Sequence, residues 1–184
     1  MQDFSTFTLQ CIREDRSHMS WMEERRFDWT PLVASVITRL IEGHTFLLMT
    51  DKERDWFLQY TLNYLNKNSM DRPLLPIFSL KDAFLQMDNF SSKDDLNMVE
   101  DMLDLIFPNG FSYFYIGKGD SKYAQIAKSK DDSFMWLMDE KVQNSFYLNS
   151  KDEILDIKLI QLMRLFDKSI NAILFAEVDI QGVL

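Results

Sequence analysis

The large apolar residues of this chain fall into short continuous runs and longer stretches with a helical period. After His44, the run Thr45-Phe46-Leu47-Leu48-Met49 is too short for a buried helix and suits a buried strand. A polar corner follows, Thr50-Asp51-Lys52-Glu53-Arg54-Asp55. Then comes a helical pattern to Asn66, with Trp56, Phe57, Tyr60, Leu62, Tyr64 and Leu65 as its large apolar members. Strand, corner and helix make the opening unit of an open α/β sheet, in which ligands bind beyond the carboxyl ends of the strands. The alternation continues along the chain. Asp71-Arg72-Pro73 breaks the helix, and residues 74–80 predict a second strand whose Pro76 places it at an edge or strand end. A polar loop over 81–95 leads to a helix capped by Asp94 or Asp95 and carrying Leu96, Val99, Met102, Leu103, Ile106 and Phe107. Pro108-Asn109-Gly110 stops it. Further strands are predicted at 111–116, 133–138 and 145–148, with a short helix around Tyr123, Ile126 and Ala127. The strands are near-continuously apolar, as parallel strands covered on both faces are. One link resists this pattern: residues 139–144 are too few for a parallel crossover helix, so the pairing of the last strand stays open.

Helices flank this alternation. Residues 3–28 predict a charge-rich helical stretch, towards whose end Trp21, Met22, Phe27 and the following Trp29 sit among Glu23, Glu24, Arg25, Arg26 and Asp28. The next helix is punctuated by Thr30 as N-cap, Pro31 at the first position and Gly43 past the end. Its residues 32–41 are apolar on most of the circumference. The last helix opens on a Ser150/Glu153 capping box and runs to about Phe175. At ~1.5 Å per residue it is nearly 40 Å long. These two helices are expected to leave apolar surface that one sheet does not cover. The reading is a three-layer α/β sandwich with a mainly parallel five-stranded sheet, formed as one domain over 1–184. N-terminal helices occupy 1–43, the strand and helix alternation 44–150, and the long C-terminal helix 151–180.

Composition narrows the function. Fifteen Phe, 6 Tyr, 4 Trp and 11 Met stand beside only 5 Gly and 4 Pro, which favours helices and interfaces over turns. The net charge of −9 makes free DNA or RNA a poor direct partner, since that affinity rests on neutralising phosphates. Cys11 is the single cysteine, so no intrachain disulfide forms, which suits a reducing compartment. The start, Met-Gln-Asp-Phe-Ser, has neither the basic nor the apolar region of a secretory signal. No apolar run approaches the ~20 residues that span a bilayer. A soluble cytoplasmic protein is the expectation.

Candidate chemistry is sparse. His18, His44 and Cys11 have no metal-ligand spacing, and Cys11 has no base at a useful helical distance. A receiver-type acid site at Asp51 would want an aspartate ending the third strand, where Gly117 stands. Gly117-Lys118-Gly119 resembles a fragment of a phosphate loop but lacks the third glycine. The corner after the first strand has no glycine and carries Asp51, Glu53 and Asp55, which repel an anion. No Ser/His/Asp set and no Gly-Lys-Ser/Thr motif stands out. The expectation is a binding protein with no catalytic residue, no cofactor and no metal. As candidate partner-binding residues the charge-mixed aromatic stretch offers Trp21, Met22, Arg25, Phe27 and Trp29, because aromatics and arginine are enriched where interfaces hold their energy.

Three blocks carry a family likeness. Trp56-Phe57-Leu58-Gln59-Tyr60 with Leu65-Asn66 and Asp71-Arg72-Pro73-Leu74-Leu75 is the first, and Ser133-Phe134-Met135-Trp136-Leu137 the second. The third is Leu155-Asp156-Ile157-Lys158-Leu159 through Gln161-Leu162 and Arg164-Leu165-Phe166 towards Val178. Over residues 20–180 the chain resembles the HobA family of bacterial replication-initiation regulators, related to DiaA. The resemblance implies a flavodoxin-like sheet of the sugar isomerase (SIS) type, a homotetramer, and a non-enzymatic role. That role is to bind the N-terminal domain of the initiator DnaA and promote its assembly at the chromosomal origin. The alternative that the same fold keeps open is a sugar-phosphate-binding SIS-domain regulator or isomerase.

Overall fold

The structure, a computed structural model, describes residues 2–15, 17–67, 72–84 and 92–182. Two compact units divide the chain, one formed by Glu42–Leu148 and the other by Met1–Ile41 with Asn149–Leu184.

The unit Glu42–Leu148 holds a five-stranded sheet. Its strands are β2 (Thr45–Thr50), β3 (Ile77–Ser79), β4 (Phe111–Lys118), β5 (Phe134–Met138) and β6 (Ser145–Leu148). They are ordered β3-β2-β4-β5-β6, and every neighbouring pair is parallel. The helices are α3 (Asp55–Leu65), α4 (Leu80–Ala83), α5 (Lys93–Ile106) and α6 (Lys122–Lys128). Because side chains alternate along a strand, the sheet has two buried faces. Leu47, Met49, Phe111, Tyr113, Tyr115, Met135 and Leu137 share one cluster with Leu80 of α4, Val99 and Leu103 of α5, and Ala124, Ile126 and Ala127 of α6. On the other face Phe114, Phe134 and Trp136 pack in tilted and edge-to-face contacts at 4.7–6.0 Å between ring centres, and Phe57 of α3 meets Trp136 at 6.2 Å. Helix, sheet, helix is the three-layer sandwich that the apolar runs predict.

Details depart from the sequence reading. The strand expected over 74–80 shrinks to three residues, since Pro76 bars an earlier start and Ser79 caps α4. It lies at the sheet edge, as Pro76 requires. Residues 68–71, with the Asp71 of the expected break, and residues 85–91 of the expected 81–95 loop lie outside the described residues. Helix α5 is capped by Ser92, not Asp94 or Asp95; Asp95 returns the bond to the Ser92 N–H at 3.0 Å and completes a capping box. The short link 139–144 does join parallel strands. Ser145 starts beside Met135, so the chain retraces only roughly 10 Å, well within the ~20 Å reach of six extended residues. Asp139 and Asn144, both left-handed at φ 64° and 60°, turn the chain at the two ends of the link.

The other unit packs α1 (Phe4–Glu14), α2 (Arg26–Ile41) and α7 (Leu155–Leu174) together, and closes with a parallel pairing of β1 (Gln2–Asp3) and β7 (Val178–Asp179). The helix expected over 3–28 is broken. Helix α1 ends at Glu14, a single tight turn spans Ser20–Met22, and α2 begins at Arg26. Thr30 is therefore not an N-cap, and Pro31 lies inside the helix rather than at its first position. Burying Trp29 and Thr30 outweighs the local preference of a residue before proline for extended backbone. Nor does the Ser150/Glu153 pair cap α7, whose N-cap is Ile154. Asn149 and Asp152 accept the Lys151 and Ile154 N–H groups in tight turns, and α7 starts only at Leu155, about 30 Å long at ~1.5 Å per residue. Helices α2 and α7 expose less than expected. Along α7 from Leu159 to Ile173, Arg164 and Lys168 are the exposed positions, and exposed apolar side chains gather at the ends: Ile41, Ile154, Ile157 and Phe175.

Candidate functional site

The corner after β2 lies at the carboxyl end of the sheet, where this architecture places ligands. Its own side chains fill it. Asp51 is buried, and both its oxygens are engaged. Oδ1 accepts the Arg54 N–H (3.1 Å) and Nη1 (3.2 Å); Oδ2 accepts the Lys118 N–H (2.7 Å) and Arg54 Nη1 (3.0 Å). Glu53 bridges Arg54 Nη1 (2.6 Å) and Lys118 Nζ (2.8 Å). The hydrogen bond from Lys118, with the Arg54 charge behind it, holds the Glu53 carboxyl below its usual range. The same bond raises the Lys118 ammonium. To bind a metal, Asp51 would have to abandon a buried guanidinium, which is strongly unfavourable. Beside the corner, Lys118, Gly119, Asp120, Met138, Asp139 and Glu140 line an open depression of about 310 Å³. Lys128 Nζ is held there by Glu140 (2.6 Å) and the Gly119 carbonyl (2.8 Å). Three carboxylates and two committed lysines give an anion little to bind.

At the opposite end of the sheet the fold assembles a set the sequence did not reveal. Ser112, His44 and Asp132 come together from three distant segments. His44 Nε2 lies 2.7 Å from Ser112 Oγ, which donates to Asp132 Oδ2 at 2.6 Å; His44 Nδ1 faces the Asn109 carbonyl at 3.2 Å. In a hydrolytic triad the serine proton goes to the histidine. Here it goes to the carboxylate, and Ser112 is fully buried. The arrangement latches the start of β2 to the start of β4 and to the loop before β5. Cys11 is buried too, and burial pushes its thiol up, away from the reactive thiolate. Among the described residues no group of three or more His, Cys, Asp or Glu is placed to hold a metal ion. No described helix is long and apolar enough to cross a membrane.

The five residues expected at a partner surface separate. Met22 and Trp29 are fully buried core side chains of their unit. Phe27 is 62% exposed, with the Arg26 guanidinium 4.0 Å over its ring, and Arg25 is half-buried. Trp21 is half-buried and fixed: its Nε1 donates to Gln161 Oε1 at 2.8 Å, and Lys158 Nζ lies 4.8 Å over its ring. Gln161 in turn donates to the Ser17 carbonyl and hydroxyl at 2.9 and 2.8 Å, and Lys158 pairs with Asp152. Ile154 and Ile157, about half exposed, precede Lys158 and Gln161 by one turn on the same face of α7. They extend the Trp21 surface. Sequence reading expected α7 to leave apolar surface but did not single them out, although both fall out of phase with the buried row Leu155, Leu159, Leu162 and Phe166.

A family profile described as HobA, a DNA replication regulator, matches residues 1–180. The DNA replication regulator protein HobA of Helicobacter pylori is 28% identical over 98% of this chain and 100% of its own length. Two solved Helicobacter pylori structures are similar throughout. The crystal structure of HobA superposes with a TM-score of 0.75 at 26% identity, covering 97% of this chain and 99% of that one. HobA in its complex with DnaA domains I–II gives a TM-score of 0.72 at 29% identity with the same coverage. This chain belongs to the HobA family of DNA replication regulators.

Proposed function

We propose that this protein is a non-enzymatic adaptor that binds the N-terminal domain of the initiator DnaA and, as a homo-oligomer, gathers several initiators at the chromosomal origin. One observation carries the reading: the likeness, over nearly the whole chain, to a HobA captured with DnaA domains I–II. The chemistry of the sheet edge agrees with it, because the corner that could hold a substrate is closed by Asp51, Arg54, Glu53 and Lys118. The docking surface keeps Trp21, Arg25 and Phe27 from the sequence reading, and takes Ile154 and Ile157 in place of the buried Met22 and Trp29. Trp21, locked by Gln161 and Lys158, presents a rigid aromatic edge at small entropic cost.

Calorimetry with purified DnaA domains I–II tests the function. Heat and co-elution are expected at roughly micromolar to tens of micromolar protein, the range of transient regulatory contacts. Their absence overturns the reading. Ile157→Glu, at a position already 51% exposed, is expected to weaken binding about tenfold or more. Unchanged affinity in that variant and in Phe27→Ala rejects the docking surface alone.

A further inference from the structure

We propose that the outer face of α5 is a second protein-docking surface, distinct from the Trp21 surface, and that it takes a basic amphipathic helix of a partner protein. Helix α5 is amphipathic, and its inner side, Val99 and Leu103, belongs to the sheet's core cluster. Its outer side is not polar. Met98 is 71% exposed, Leu105 85%, Ile106 52% and Met102 40%. At spacings of three, four and seven residues they form one continuous stripe. The stripe runs on past the helix end, where Phe107 stacks on Phe78 of the edge strand β3 at 6.3 Å and Phe78 is itself half exposed. An apolar row of this length is the receiving half of helix-in-groove recognition. Its two methionines adapt their shape to a partner helix.

Charge decides the occupant. Helix α5 carries five acidic residues, Asp94, Asp95, Glu100, Asp101 and Asp104, against the single Lys93. Exposed Asp94, Asp101 and Asp104 border the stripe along one side. A second copy docked face to face and antiparallel would set this acidic border against itself. A helix with an apolar row and lysines or arginines beside it meets both features at once, and such complementarity sets partner choice.

The test uses the full-length protein and two synthetic amphipathic peptides with the same leucine row, one flanked by lysines and one by glutamates. Hydrogen exchange is expected to slow over residues 98–107 with the lysine peptide and not with the glutamate peptide. Fluorescence anisotropy is expected to report about tenfold weaker binding of the lysine peptide to Leu105→Glu, whose side chain is already in water. The double variant Asp101→Lys, Asp104→Lys should weaken the lysine peptide and accept the glutamate one. Equal binding of the two peptides, or protection elsewhere in the chain, overturns the proposal. A smaller particle for Leu105→Glu by light scattering also overturns it, because the stripe would then be a contact between copies of this chain.

Discussion

Gly117 ties the corner network to the sheet. Its backbone lies at φ +157°, and a Cβ there would stand 2.5 Å from the Tyr115 hydroxyl and 2.6 Å from Asp51 Oδ2. Neither neighbour is free to give way. Tyr115 Oη donates to the Lys118 carbonyl at 2.8 Å, and Asp51 holds Arg54 and the Lys118 N–H. Gly117→Ala is expected to destabilise the fold by about 2–4 kcal/mol, as overpacking combined with local strain does. A urea unfolding midpoint unchanged from the parent would refute this account of the corner. The tyrosines make a second prediction. Burial pushes the phenols of Tyr113 and Tyr115 above their ordinary value of 10.0, with Glu100 adding to the effect at Tyr113. A folded-state pKa above the unfolded one means stability that is full below pH ~10 and is lost as pH rises beyond it, because the unfolded chain releases those protons first. The phenolate absorbance of Tyr113 and Tyr115, read as the part lost on Tyr→Phe substitution at each, should appear only as the fold melts. Its appearance in folded protein would contradict this.

Elements were legible where one period dominates a long enough stretch. The strand runs at 45–49, 111–116, 133–138 and 145–148 match β2, β4, β5 and β6 because continuous apolar runs of that length suit little else in a two-sided sheet. Helix ends were not, since several residues compete for each cap. Ser150 and Glu153 have the right spacing for a box, yet Asn149 and Asp152 take the turn; Ser92, which the reading passed over, closes the box on α5. The parallel β1–β7 pairing joins residues far apart in the chain, and no local signal announces it. The far end of α7 illustrates the same competition. The Glu177 N–H bonds the Ala172 carbonyl at 2.8 Å and the Ala176 N–H the Ile173 carbonyl at 3.1 Å, the pattern that normally wants glycine at the left-handed position. Ala176 occupies it at φ 55°. Ala176→Gly should therefore stabilise the protein by roughly 0.5–1 kcal/mol, read as a higher thermal midpoint. A lower midpoint would mean that the terminating turn is not formed as described.

The candidate site was legible in the sequence only in its chemistry, not in its surface. Residue types at the corner already spoke against an anion, but which aromatic faces solvent depends on packing partners more than a hundred residues away, as with Trp21 and Gln161. Met22 and Trp29 are buried while Ile154 and Ile157 are about half exposed, a division that residue type does not announce. The acidic net charge of −9 bears on the whole molecule and favours protein over nucleic acid as partner. In the proposed function, a homo-oligomer with one initiator site per subunit raises the local concentration of bound initiators without any new contact between them. That mechanism makes a prediction that simple binding does not. As this protein is titrated into a fixed amount of DnaA domains I–II, large assemblies should grow, peak near equal numbers of subunits and initiators, and then shrink. In large excess of this protein each oligomer carries one initiator or none, so gathering is diluted away although every initiator is bound. Light scattering follows the mass of the assemblies, and calorimetry follows the bound fraction in parallel. A curve that rises and stays flat while binding saturates would leave this protein a binder of DnaA, and would exclude its acting by holding several initiators together.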